Sequence, residues 1–159
     1  MRRINLHDNP LPYDALSYVW GAPSSYPQKV LEIDQQQLNI TPNLHSALSA
    51  LLKSNFVGRI WVDAVCINQE DLLERGNQVT MMADIYRHAT TVRIYLGPDL
   101  PLITRFFQYA ERNPNLDIEV PDMITTLHIS KEDLLCEYVD LIHRPWWARV
   151  WILQEYALA

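Results

Sequence analysis

The sequence predicts an α/β fold: a mainly parallel central sheet flanked by helices, with a small β-hairpin and a helical insertion. Three observations carry this. Apolar runs at 15–20, 59–65 and 91–96 have the length and bulk of buried strands. Helical patterns separate them, which is how parallel strands are connected. Gly21 with Pro23, and Gly97 with Pro98, end the first and third runs.

The first run is apolar on both sides, as a central strand should be. Segments 29–33 and 37–40 read as a hairpin turning at Asp34-Gln35-Gln36. Thr41 is an N-cap and Pro42 a first helical residue. Leu44, Ala47, Leu48, Leu51 and Leu52 then recur at helical spacing. The run at 59–65 is the second strand. A helix at 78–89 carries Val79, Met82, Ile85, Tyr86 and Ala89 on one face. The run at 91–96 is the third strand. Ser130 with Asp133 resembles a capping box for a helix through His143, and Pro145 opens a last helix over 146–158.

At 159 residues and 48% hydrophobic composition the chain suits a single domain with a sizeable core. Its net charge of −6 argues against nucleic acid as the main partner and against an anionic membrane surface, both of which call for a basic face. Five of those six charges come from 99–144, with nine acids against four bases. That stretch reads as an acidic helical insertion, too short to own a core. The two cysteines, Cys66 and Cys136, lie far apart without metal-ligand spacing and read as reduced thiols. Residues 1–16 mix charges with prolines, unlike a signal peptide, and no apolar run reaches membrane-spanning length. The expected location is the cytoplasm.

In open α/β sheets ligands bind beyond the carboxyl ends of the strands. Trp20 stands at the end of the first strand as a stacking candidate. Tyr18 and Trp61 could stack too, although Trp61, inside a strand, suits the core better. After the second strand come Asp63, Asn68, Gln69, Glu70, Asp71, Glu74, Arg75 and Gln78. Of these, Asp63, Asn68, Gln69 and Arg75 are candidate substrate-binding residues. The alternative for any one of them is local: Asn68 or Asp71 caps the next helix, and Glu74 pairs with Arg75 or Gln78. The loop lacks the glycine and terminal glutamate of a calcium-binding EF-hand, so no metal site is expected. The four glycines are isolated, so there is no phosphate-cradling loop. Cys66 has no histidine at a telling spacing.

Three blocks carry a family resemblance. The first is Tyr13-Asp14-Ala15-Leu16-Ser17-Tyr18-Val19-Trp20-Gly21. The second is Ile60-Trp61-Val62-Asp63-Ala64-Val65-Cys66-Ile67-Asn68-Gln69-Glu70-Asp71, continuing to Glu74-Arg75, Gln78, Met82, Ile85-Tyr86, Ala89 and Leu96-Gly97. The third is Arg144-Pro145-Trp146-Trp147-Ala148-Arg149-Val150-Trp151-Ile152-Leu153-Gln154-Glu155. In order, they resemble the signature of the HET domain, the fungal heterokaryon-incompatibility module that triggers programmed cell death.

That family is in turn similar to TIR domains, which implies a TIR-like, flavodoxin-like sheet. It also implies a module of a larger protein. Tyr13 to Ser17 is similar to the opening TIR strand. Trp151 and Glu155, four apart on one helical face, resemble the Trp and catalytic glutamate of NAD-cleaving TIR members. The resemblance thus assigns Glu155 as the catalytic carboxylate and Trp151 as a substrate-binding residue, with NAD as substrate and no bound cofactor. Such a carboxylate would stabilise the oxocarbenium-like ribose as nicotinamide leaves. The structural alternative is a buried Glu155 paired with Arg149 or Arg75. Two functions stay open: a NAD glycohydrolase-like enzyme of innate-immunity type, and a non-enzymatic, self-assembling module that recruits partners. Either implies a homo-oligomer on activation, working with other domains or partner proteins of the incompatibility system.

Overall fold

A computed structural model describes residues 11–21, 29–113 and 124–149. The described residues fall into two compact units, one drawn from Met1–Gly97 with Ala148–Ala159 and one from Pro98–Trp147.

In the first unit, β1 (Asp14–Tyr18) pairs in parallel with β4 (Ile60–Trp61) on one side and with β5 (Thr91–Tyr95) on the other. The three expected strands do share one parallel sheet. Only β1 is internal to it among the described residues, the order being β4-β1-β5. All five β1 residues are buried, which explains the unbroken apolar run. Alternate side chains point to opposite faces. Leu16 and Tyr18 pack with Leu44 and Ala47 of helix α1 (Pro42–Lys53), while Ala15 packs with Met82 and Tyr86 of helix α3 (Leu72–His88). Helices therefore cover both faces of the sheet.

The second strand is much shorter than expected. It ends at Trp61, and Asp63–Cys66 winds into a single helical turn, α2. The Asp63 carboxylate accepts the Ala64 amide at 2.7 Å, which draws the chain out of the strand. Helix α3 begins earlier than expected, at Leu72. Asp71 caps it by accepting the Leu73 and Glu74 amides at 2.9 and 3.0 Å.

The hairpin forms a separate two-stranded antiparallel sheet, β2 (Lys29–Ile33) with β3 (Gln36–Ile40). Asp34 and Gln35 both take positive φ, 50° and 65°, as a two-residue turn matched to strand twist requires. Thr41 caps α1 as expected, accepting the Leu44 amide at 3.2 Å.

The acidic stretch does have an apolar cluster of its own. Ile103 of α4 (Pro101–Arg112), Leu134 of α5 (Lys131–Ile142) and Ile129 are buried together. Glu137 adds a polar tie, accepting the Leu102 and Ile103 amides at the start of α4 at 2.9 and 3.0 Å. Ser130 caps α5, accepting the Asp133 amide at 3.2 Å. Pro145–Ala148 is a 3-10 turn, and the rest of the expected last helix lies outside the described residues.

Candidate functional site at the carboxyl end of the sheet

The carboxyl ends of β1 and β4 bring together residues 43 apart in sequence. Trp20 extends two residues past β1, and its indole N–H donates to Asp63 Oδ2 at 2.7 Å. Asp63 itself is buried. With Oδ1 on the Ala64 amide and Oδ2 on Trp20, both carboxylate oxygens are engaged. Hydrogen bonding to neutral donors is what lets a carboxylate stay buried. The Asp63 carbonyl accepts the Gln69 amide side chain at 3.0 Å, which folds the following loop back over the α2 turn.

The Trp20 ring is 40% exposed although its N–H is tied down. It is therefore a fixed aromatic surface open to solvent, suited to stacking on a planar ligand. Asn43 of α1 donates to the Val19 carbonyl and steadies the backbone just before it.

Tyr18, at the end of β1, is almost fully buried. Its hydroxyl lies close enough to Asp63 to feel the charge but makes no hydrogen bond of good geometry. Burial first, and the Asp63 carboxylate second, push its ionisation far above the ordinary tyrosine value, against a smaller pull from Arg149. Tyr18 thus holds its proton more tightly than an exposed tyrosine does. Arg149 reaches Ser17 of β1, its Nη1 lying 3.4 Å from the hydroxyl, across 132 positions of sequence.

The other predicted residues divide. Gln69 joins the group through the Asp63 carbonyl. Asn68 is exposed and serves the turn, accepting the Glu70 amide at 3.2 Å, while its own amide donates to Glu74 at 3.2 Å. Arg75 is exposed on α3, and among the described residues its guanidinium has no partner there or with Asp63. Glu155 and Trp151 lie outside the described residues. Trp61 packs edge-on against Tyr86 at 5.6 Å, the core role expected of it. Cys66 accepts the Val62 amide at 3.5 Å, and burial, the main influence, raises its thiol pKa, so it is no ready nucleophile. No cluster of three metal-ligating side chains occurs among the described residues.

Sequence reasoning missed Ser17, Asn43 and Arg149 as members of this end. Ser17 and Arg149 stood in the signature blocks, but their meeting is a tertiary event without a local pattern.

These features define an α/β module with an aromatic and carboxylate group at the ligand end of its sheet. The sequence profile of the heterokaryon incompatibility (HET) proteins matches residues 13–155, and the chain belongs to that family. It is similar to heterokaryon incompatibility protein 6, OR allele, of Neurospora crassa, at 27% identity over 191 aligned positions. That alignment covers 94% of this chain and 28% of the relative, so the chain spans little more than a quarter of that protein. No solved structure gives a significant match. Among the described residues no helix is long and apolar enough to cross a membrane.

Proposed function

We propose that the chain is a cell-death-inducing module of a fungal incompatibility system, TIR-like in fold, that acts on a NAD-type nucleotide at the carboxyl end of its sheet. The observation that carries this reading is Trp20, clamped by a buried Asp63 yet 40% exposed at the end of the central strand. A planar base or nicotinamide would stack on that ring. Asp63, with both oxygens engaged, acts as the positioning residue, and Glu155 is the carboxylate proposed to face the ribose as nicotinamide departs. Activation proceeds by self-association in the cytoplasm, with other domains or partner proteins supplying the trigger.

The test is incubation of the purified protein with NAD, with and without forced clustering, following nicotinamide release. The expected result is release that appears on clustering. Its absence in both conditions, while the protein still kills cells, would replace this reading with non-enzymatic assembly. One observation favours that second reading. Leu135, Tyr138, Val139 and Ile142 are all exposed on α5, three and four residues apart, an apolar stripe of the kind that partner helices cover.

A further inference from the structure

We propose that the opposite, amino end of the parallel sheet holds a second ligand site, for a small anion bearing a carboxylate or phosphate group. A cavity of about 570 Å³ opens there, within the range of small-molecule sites. Arg59, Arg93, Asp14, Phe56, Ser54 and Thr91 are among its lining residues.

The cavity is framed by backbone that is already satisfied. The Asp14 amide donates to the Arg59 carbonyl at 2.9 Å. The amides of Ser54, Asn55 and Phe56 all donate back to the last turn of α1. The walls are thus set before any ligand arrives, which lowers the ordering cost of binding.

Two guanidiniums stand in this frame, and they are held differently. Arg93 donates through Nε to Asp14 Oδ2 at 2.5 Å, and its guanidinium carbon lies 4.6 Å from the centre of the Phe56 ring. Those two contacts fix its plane. Among the described residues its terminal nitrogens have no hydrogen-bond partner. Arg59 is exposed, and among the described residues its guanidinium has none either. Asp14 offsets one of the two positive charges, leaving the cavity net positive in a chain of net charge −6.

A planar fork held in place and a second, free fork match the acceptor geometry of carboxylate and phosphate oxygens. The Thr91 side chain adds a neutral donor, while the Ser54 hydroxyl already donates to the Leu51 carbonyl at 2.8 Å. A single net charge in a local cavity does not suit a nucleic-acid backbone, which needs an extended basic track.

The test is titration of the protein with inorganic phosphate and, separately, with succinate, at constant ionic strength, read by calorimetry and by melting temperature. Either anion should bind and raise the melting temperature where an equal concentration of chloride does not. The arm that responds identifies the head group. Arg59→Gln, at an exposed position, should fold normally and weaken binding roughly tenfold, the loss of one charge-assisted pair. Trp20→Ala should leave this binding unchanged, which separates it from the site at the carboxyl end. Failure of both anions to bind, or equal binding by parent and Arg59→Gln, would overturn the proposal.

Discussion

The two ends of the parallel sheet each hold an aspartate, and the structure treats them in opposite ways. Asp14, at the amino end, meets the Arg93 guanidinium beside an open cavity. Asp63, at the carboxyl end, is equally buried, and its carboxylate takes two neutral N–H donors, from Trp20 and Ala64. The Asp14 pair is only partly open to water, through the Arg93 side chain at 37% exposure, and that screens part of the attraction. The neutral donors on Asp63 are different, since removing that carboxylate strands both of them. The difference teaches which end is built for rigidity. The carboxyl end holds its aromatic ring fixed, whereas the amino end leaves donors free.

The largest expected effect therefore lies at Asp63. Asp63→Ala leaves the Trp20 indole N–H and the Ala64 amide without the acceptor they share. It should destabilise the fold by about 2–3 kcal/mol in urea denaturation. A loss no larger than that of Asp14→Asn, which keeps an acceptor for the partly exposed Arg93 and is expected at about 1 kcal/mol, would erase the contrast between the ends.

Two tyrosines sharpen it further. Tyr13, just before β1, donates to the Ile85 carbonyl at 2.6 Å, while among the described residues the Tyr18 hydroxyl makes no hydrogen bond of good geometry. At neutral pH Tyr13→Phe should cost about 1 kcal/mol, and Tyr18→Phe should be neutral or slightly stabilising. The gap widens in alkali. Burial raises both ionisations, and Asp63 adds to the rise at Tyr18. A folded state that holds its proton more tightly than the unfolded chain is fully stabilised below the unfolded pKa, near pH ~10, and loses that stability as pH rises beyond it. The slope approaches ~1.4 kcal/mol per pH unit for each such group. Tyr18→Phe should flatten the alkaline loss, as denaturation midpoints between neutral and strongly alkaline pH would show.

The smallest effect is expected away from both ends. Gly76 lies within α3, and a Cβ placed there meets nothing within 4 Å. Gly76→Ala should raise stability by up to ~1 kcal/mol, measurable as a higher melting temperature. If it also reduced cell killing, the open face of α3 would be a contact surface in the active assembly.

Local signals in the sequence were read well. The Thr41 and Ser130 caps and the Asp34-Gln35 turn depend on neighbouring residues, and each stands where expected. The run at 59–65 misled because a short apolar segment looks alike as a buried strand or a buried helical turn. What separates the two is the Asp63 side chain turning back onto Ala64. The start of α3 was hidden by a polar, glycine-containing first half, whose leading residues Leu72 and Leu73 are exposed. The apolar cluster of 98–147 was missed by judging length and charge, when Ile103, Ile129 and Leu134 needed only each other. Trp20 and Asp63 were each legible as site candidates, but their bond was not, because it joins two strand ends through tertiary pairing.

In the proposed mechanism the Glu155 carboxylate is the group that makes the module lethal. The direct measurement is cell death on expression of Glu155→Gln, with the folded fraction and melting temperature of the purified variant determined alongside. The account predicts a protein that melts at or above the parent temperature yet no longer kills, because the amide supplies no counter-charge to the ribose. A well-folded Glu155→Gln protein that kills as efficiently as the parent would contradict it.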